Sequence, residues 1–232
     1  MEVVRVEAGE PLYRALDRAR APTGRPVLVV VGGAAGVDPG DSAAIDALFR
    51  EVVVPVVVDR RATIVDGGTD SGVMQALGDA VAVAGSPVPL VGVTVAALAT
   101  ARAEHAHPGR RVPGGAALER HHTHVLLVDG SRWGDESGSL AEVAGLLAGG
   151  APTATLLVNG GAISRTDVEH SLRIGRPVVT VRGSGRLADE LAEARPDGVV
   201  VLEPHWPVEA RRRVVAELLG AAQPEAGFRC TS

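Results

Sequence analysis

Short apolar runs recur along the chain, and most are followed by a glycine-containing turn and then by a longer segment with helical spacing. The apolar runs predict seven strands, at residues 27–31, 63–65, 89–95, 124–128, 155–158, 177–181 and 198–202. The spacing of apolar residues predicts helices at about residues 42–53, 72–83, 135–147, 163–174, 186–194 and 208–219. Because the strand runs are continuously apolar, they are typical of strands covered on both faces, as in a parallel sheet.

This alternation predicts one Rossmann-like α/β domain, with a doubly wound, mainly parallel sheet and helices on both faces. The domain is expected to span residues 1–232, with a core at about 25–220 and a frayed tail at 221–232. Residues 100–120 show no usable periodicity. A loop of this length in a compact domain predicts a mobile lid or a dimer contact, with simple disorder as the alternative.

The composition excludes several function classes. All 23 basic residues are Arg, so the chain has no P-loop, Schiff-base or kinase-type lysine. A net charge of −5 and an aromatic content of 2% argue against nucleic-acid binding. The single cysteine, Cys230, cannot form an internal disulfide, and the N-terminus lacks the features of a secretion signal, so a cytoplasmic location is expected. Glycines and prolines interrupt the uncharged run at 80–101, so no membrane association is expected.

Four glycine turns follow predicted strands, at the end of a parallel sheet where phosphates bind to free backbone N–H groups. A purely structural turn is the alternative at each position. Ala34 stands at the second glycine position of GxGxxG, which disfavours an ordinary dinucleotide dehydrogenase. The candidate ligand-binding residues in these turns are Gly32, Gly33, Gly67, Gly68, Thr69, Asp70, Ser71, Gly72, Asn159, Gly160, Gly161, Arg165, Gly183, Ser184, Gly185 and Arg186.

Arg186 is the strongest single phosphate candidate. It lies in the first turn of a predicted helix, where a cation is unfavourable unless an anion or a carboxylate is close. A solvated arginine is the alternative. His122, at the start of a predicted strand, is a further ligand-binding candidate, with a hydrogen-bonded structural histidine as its alternative.

Five runs of residues resemble the SLOG superfamily in their order along the chain. The resemblance is closest to its prokaryotic branch, related to the cytosolic N-terminal domain of melastatin-type TRP channels, and covers most of residues 27–191. The runs are VVVGGAAG, IVDGGTDSGVMQALGDAV, LERHHTHVLLVDGSRWGDES, LLVNGGAISRTDVEHSL and PVVTVRGSGRLADEL.

The resemblance implies a Rossmann-like sheet that senses or processes nucleotides and NAD-derived ligands such as ADP-ribose. It also implies which positions approach the ligand. Gly67, Gly68, Thr69, Ser71 and Gly72 would line the phosphate-binding turn, and residues 183–186 would approach from a later strand end.

The same superfamily contains phosphoribohydrolases that activate cytokinins and carry a PGGxGTxxE motif. The corresponding stretch here is NGGAISRTD, at residues 159–167, so Pro, the third Gly, Thr and Glu are all replaced. Asp167 stands at the position of the catalytic Glu. These departures favour a binding domain over a hydrolase. A partial match at residues 113–119, PGGAALE, precedes the wrong strand and is interpreted as a coincidence.

Other polar residues suggest chemistry less directly. Five of the seven histidines lie between His105 and His124, but the lone cysteine and the lack of HExxH predict no metal site. If chemistry occurs, Asp129 or Glu136 is the acid/base candidate, because a cleft can tune a carboxylate toward neutral pH. The family resemblance adds Asp167 as a catalytic candidate. Trp133 could stack on a base or pack at an edge.

The predicted function is a cytoplasmic binding or sensor domain for a nucleotide or an NAD-derived ligand. No further cofactor is expected. The protein is expected to form a homodimer. An enzyme that cleaves the N-glycosidic bond of a nucleotide is the first alternative, and a structural oligomerisation module is the second.

Overall fold

The computed structural model describes residues 1–33, 39–100 and 112–220, and its main feature is a sheet of eight parallel strands. The strands are β1 Glu2–Arg5, β2 Val27–Gly32, β3 Thr63–Asp66, β4 Leu90–Val95, β7 His124–Val128, β8 Thr153–Val158, β9 Val178–Val181 and β10 Val199–Leu202. Two short strands, β5 Ala99–Thr100 and β6 Ala116–Ala117, pair separately. The order across the main sheet is β1-β7-β4-β3-β2-β8-β9-β10. The predicted Rossmann-like α/β fold is confirmed.

Helices cover both faces of this sheet. They are α1 Leu12–Arg18, α2 Pro39–Ala47, α3 Val54–Arg60, α4 Gly72–Ala84, α5 Ser137–Ala148, α6 Ala162–Arg173, α7 Arg186–Ala194 and α8 Val208–Leu218. Alternate residues of β2 point to opposite faces, so Leu28 and Val30 pack with α3, α4 and α8. Val29 and Val31 pack with α1, α5, α6 and α7 on the other face. Both faces are therefore apolar, as the continuous strand runs predict.

A π-helical segment, Leu48–Val53, joins α2 to α3 and precedes Pro55. Proline has no backbone N–H, so the carbonyl four residues earlier, that of Glu51, loses its helical partner. The Arg212 side chain of α8 donates to this carbonyl at 2.6 Å. The helix thus continues to Arg60, seven residues past the predicted end, because α8 satisfies the group that proline leaves free.

The N-terminal elements extend the core beyond the predicted boundary at residue 25. β1 pairs in parallel with β7, and Val4, Leu12 and Leu16 are buried in the same cluster as β2. The sequence pattern missed β1 because this four-residue edge strand buries only Val4. It missed α1, a seven-residue helix without a side-chain cap. Part of the predicted lid, residues 101–111, and the predicted tail, residues 221–232, lie outside the described residues.

The chain order reverses between β2 and β8. From β2 the chain moves through β3 and β4 to one side, and β8 and β9 later build the other side. In an open parallel sheet, the connections that leave the two strands at such a reversal run to opposite faces, and a crevice forms outside the carboxyl ends of the strands. The fold therefore places a natural ligand site at the ends of β2, β3 and β8.

Candidate functional site

A cavity of 400 Å³ lies at this crevice and is termed the switch-point cavity. Its volume is in the range of small-molecule sites, about 300–1,000 Å³. Its wall is more apolar than polar. The lining residues are Val30, Val31, Gly32, Gly33, Gly67, Thr69, Ser71, Met74, Ala116, Trp133, Glu136, Leu140, Gly161, Ala162, Ile163, Ser164, Asp167 and Arg186.

The turns after β2 and β3 form one side of the cavity. Gly32 must lack a side chain, because a Cβ there would lie 2.5 Å from the Val158 carbonyl oxygen and 2.7 Å from Val73 Cγ2. This glycine allows β2, β8 and the start of α4 to meet closely. Gly67, Thr69 and Ser71 then line the cavity at the beginning of α4, where the helix dipole favours an anion.

The turn after β8 leads into α6, whose N-terminus faces the cavity. Gly161 is the N-cap, and Ala162, Ile163 and Ser164 of the first turn all line the cavity. The first N–H groups of a helix have no partner within the helix and carry its positive end. The N-terminus of α6 therefore presents a favourable environment for a phosphate.

Arg186 is the cavity-lining residue contributed by the turn after β9. A Cβ on Gly161 would lie 2.8 Å from Arg186 Nη2, so the missing side chain lets the guanidinium lie against the N-terminus of α6. Arg186 also has a φ of 49°, which is uncommon for a residue other than glycine. The backbone thus adopts a strained conformation at the point where this guanidinium enters the cavity.

The other residues of that turn serve the fold. The Ser184 hydroxyl donates to the Val181 carbonyl at 2.7 Å and accepts the Asn159 N–H at 2.8 Å. The first N–H groups of α7, those of Leu187 and Ala188, donate to carbonyls of the β8 turn. These N–H groups at the N-terminus of α7 are therefore bonded to protein carbonyl oxygens and do not face a ligand. Of the four residues predicted to approach a ligand here, Arg186 is the one that lines the cavity.

Two carboxyl groups face the cavity. Burial raises the pKa of Asp167 to about 6, the Ser137 hydroxyl opposes the rise, and the charge of Glu136 adds to it. Burial also raises the pKa of Glu136, against the opposing backbone hydrogen bonds, one of which is the Gly134 N–H donated at 2.8 Å. Two carboxyl groups with raised pKa values in one cavity are typical of acid/base chemistry. Asp129, the third candidate, is exposed and lies 4.0 Å from Arg5 instead.

His122 lies in a buried cluster rather than in the cavity, which differs from the expected ligand contact. Its Nε2 is 2.7 Å from Asp66 Oδ1, and its Nδ1 is 2.9 Å from Glu119 Oε2. Burial lowers the pKa of His122, but the charges and hydrogen bonds of Asp66 and Glu119 outweigh this effect and raise it to about 9. Both ring nitrogens are thus protonated and bonded to carboxylates at neutral pH, so they are not available to a ligand.

Residues 112–120, termed the wall segment, form the outer side of the cavity. Ala116 lines the cavity, and the Trp133 indole N–H donates to the Gly114 carbonyl at 2.8 Å. The predicted lid or dimer contact at residues 100–120 therefore has two parts. The wall segment packs on the site, and residues 101–111 lie outside the described residues. Sequence reasoning set this segment aside as a coincidental motif match, and so missed Ala116 and Glu119.

The structure brings together part of the predicted set. The predicted residues that line the cavity are Gly32, Gly33, Gly67, Thr69, Ser71, Gly161, Arg186, Glu136 and Asp167. The predicted residues outside the lining are Gly68, Asp70, Gly72, His122, Asn159, Gly160, Arg165, Gly183, Ser184, Gly185 and Asp129. Arg165 instead pairs with Glu190 on the surface.

Two further findings concern only the part of the chain that the structure describes. No group of three His, Cys, Asp or Glu side chains there is arranged to hold a metal ion. His105 and His107 of the histidine-rich stretch lie outside the described residues. Within the described ranges, no helix is long and apolar enough to cross a membrane.

Comparisons with known proteins agree with this geometry at the level of fold. A family profile described as "SLOG in TRPM, prokaryote" matches residues 25–216. The X-ray structure of TM1055 is 18% identical, with a TM-score of 0.50 over 82% of this chain and 98% of that chain. The molybdenum cofactor carrier protein MCP from Chlamydomonas reinhardtii is 16% identical, with a TM-score of 0.52 over 85% and 99%. No curated protein matches the chain.

Proposed function

Because the chain belongs to the prokaryotic family of SLOG domains related to TRPM, we propose that it is a binding domain for a nucleotide or an NAD-derived ligand such as ADP-ribose. The ligand occupies the switch-point cavity. One observation carries the proposal: the N-terminus of α6 and the Arg186 guanidinium meet at Gly161, on the edge of an otherwise largely apolar cavity. This combination suits a molecule that carries both an anionic group and an aromatic group.

The phosphate of the ligand binds at the Gly161 end. There the first-turn N–H groups of α6 and the side chain of Arg186 approach from two elements. An arginine fork can donate two parallel hydrogen bonds to phosphate oxygens, and the helix dipole adds to the attraction. With no lysine in the chain, these groups and the N-terminus of α4 supply the positive potential among the described lining residues.

The base of the ligand binds against the apolar side chains of the lining. Met74, Leu140 and Trp133 are among them. The hydrogen bond from the Trp133 indole to Gly114 holds the ring in a defined position. A fixed aromatic ring suits stacking on a planar base, and such stacking contributes about 1–3 kcal/mol per base.

Arg186→Ala tests the proposal directly. Charge-assisted hydrogen bonds contribute about 1.5–3 kcal/mol, so the affinity for AMP and for ADP-ribose should fall by roughly ten- to a hundredfold, measured by isothermal titration calorimetry. Arg173→Ala removes an equal charge at the far end of α6 and should bind as the parent does. If the parent binds neither compound, or if the Arg186 variant binds both equally well, the placement of the phosphate is wrong.

Hydrolysis of an N-glycosidic bond is a second candidate, favoured by the Glu136 and Asp167 pair. In this reaction water adds across the bond: its oxygen joins C1′ of the ribose, and a proton goes to the departing nitrogen of the base. Asp167, whose pKa is raised to about 6, would supply the proton to the base, and the Glu136 carboxylate would stabilise positive charge at C1′ or take the proton from water.

Chromatography of AMP incubated with the protein separates the two functions. Release of free adenine and ribose 5-phosphate, abolished in Asp167→Asn while calorimetric binding of AMP persists, supports the hydrolase. Binding of AMP without release of adenine supports the binding domain. If the protein releases the base from a related nucleotide but not from AMP, the same comparison of the parent with Asp167→Asn is made on that nucleotide.

A further inference from the structure

The buried cluster of Asp66, Glu119 and His122 joins the two sides of the switch-point cavity. Asp66 ends β3 and accepts the Gly68 N–H at 2.7 Å, in addition to its contact with His122. Glu119 belongs to the wall segment, and its carboxylate also accepts the His121 N–H at 2.9 Å. The imidazole thus bridges the strand that leads into the ligand turn, residues 67–71, and the segment that walls the cavity.

Backbone contacts follow the same path. The Glu119 N–H donates to the Gly68 carbonyl at 3.0 Å, and the Asp70 N–H donates to the Ala117 carbonyl at 2.7 Å. Thr69 and Leu118 form an antiparallel bridge between these two hydrogen bonds. The ligand turn and the wall segment therefore form one small unit, and the two cavity-lining residues Thr69 and Ala116 lie on its two halves.

Two glycines make room for the cluster. A Cβ on Gly78, in the middle of α4, would lie 2.4 Å from the carboxyl carbon of Glu119. A Cβ on Gly92 of β4 would lie 2.7 Å from the Cα of Gly68 and 3.1 Å from Cδ2 of His122. A glycine inside a helix is unfavourable, so the glycine in α4 is explained by the carboxylate that it accommodates.

The charge of this unit matters because it is buried. His122 is 2% exposed, Glu119 1% and Asp66 0%. The charged and titratable groups around the imidazole come from three parts of the chain. They are Asp66 of β3, Asp79 of α4, and Glu119, Arg120 and His121, which directly precede His122. A neutral imidazole can donate only one of its two hydrogen bonds to the two carboxylates, and one carboxylate would then face a nitrogen lone pair.

We propose that Glu119 and His122 are positioning residues, which hold the wall segment against the ligand turn so that the affinity of the cavity for a nucleotide depends on the positive charge of His122. The inference rests on the proposed binding function. Neither residue touches the ligand: each acts through Thr69 and Ala116. Loss of the charge loosens the contact between the two halves and widens the cavity at its outer side.

The pH dependence of the affinity for AMP tests the proposal. If the cluster only stabilised the fold, the affinity of the folded protein would not change as His122 loses its proton. The second phosphate pKa is about 6, so AMP keeps a constant charge between about pH 7 and 10. The parent should bind AMP equally well near pH 7 and 8 and more weakly as the pH rises through about 9, where His122 loses its proton. Thermal unfolding at each pH identifies the range in which the protein stays folded.

Two substitutions of Glu119 separate charge from contact. Glu119→Gln keeps hydrogen-bonding groups of the same shape but removes a charge that raises the His122 pKa, so the fall in affinity should move to lower pH. Glu119→Ala removes the bridge and should weaken AMP binding about tenfold near pH 7 and 8, a typical coupling between sites. This difference from the parent should shrink above about pH 9, where the affinity of the parent itself falls. His124→Gln lies in the same stretch but outside the cluster and should keep the parent profile.

Hydrogen exchange distinguishes failure of this inference from failure of the proposed function. The Asp70 and Glu119 amides report the contact between the two halves without any ligand. If the parent does not bind AMP, faster exchange of these two amides in Glu119→Ala still supports the positioning role. The inference is overturned if Glu119→Gln shows the parent pH profile, or if a folded Glu119→Ala variant retains the parent affinity and the parent exchange rates.

Discussion

At the scale of single residues, Asp167 is a buried carboxyl group whose ionisation costs stability. Its carboxyl group is buried at the cavity, beside Ser137 and Glu136, and burial raises its pKa to about 6 from 3.8. The folded protein therefore holds this proton more tightly than the unfolded chain does. The free energy of unfolding loses this contribution as the pH rises from about 4 to 6, and the cost persists at pH 7.

Asp167→Asn should therefore stabilise the protein at neutral pH. The difference in the free energy of unfolding between the variant and the parent should be more favourable to the variant at pH 7 than at pH 4, by roughly 1–3 kcal/mol. Urea denaturation at the two pH values measures this difference. Asp59→Asn removes an exposed carboxylate beside Arg60 and serves as the control, with no such pH-dependent gain. An equal effect of Asp167→Asn at both pH values would contradict the burial of a charge.

At the scale of elements, α4 and α5 show how one residue type has opposite roles in two helices. Gly78 of α4 faces the Glu119 carboxylate at a distance that leaves no room for a Cβ. Gly145 of α5 is exposed, and a Cβ there would meet no atom within 4 Å. Helix propensity favours alanine at both positions, and only the packing separates them.

Alanine substitution at these two glycines should change stability in opposite directions. Gly145→Ala should raise the free energy of unfolding by about 0.5–1 kcal/mol, since alanine restricts the unfolded chain. Gly78→Ala should lower it by roughly 1–3 kcal/mol, because Glu119 must move from its histidine partners. Urea denaturation of both variants at one pH is sufficient. Stabilisation by Gly78→Ala would mean that Glu119 does not occupy its place against α4.

At the scale of the whole molecule, the reversal of strand order decides where function can reside. β2 lies in the interior of the sheet with β3 on one side and β8 on the other, so the three turns that follow these strands share one crevice. Turns that are far apart in sequence, at Gly32, Gly67 and Gly161, thereby line one cavity. Cytoplasmic location and a homodimer remain predictions at this scale.

Much of this architecture follows from local sequence pattern. Continuously apolar runs specify strands buried on both faces, and glycine after a strand marks turns at the ligand-binding edge. These signals are local because backbone preference and side-chain polarity act within a few residues. They located seven of the eight strands of the main sheet, the parallel α/β fold, and Arg186 as a residue of the cavity. Asp167 was indicated by the family resemblance.

Tertiary structure alone decided which polar groups meet. Ser184 follows a glycine like the residues of a phosphate turn, yet it bonds to Asn159, which is 25 residues away. The sequence left His122 open as a ligand contact or a structural histidine, and its Nε2 bonds to Asp66, which is 56 residues away. β1 becomes a strand because β7 offers it an open edge. The physical reason is common to all three: a buried hydrogen-bonding group must find a partner, and only the packing of distant elements determines which partner is within reach.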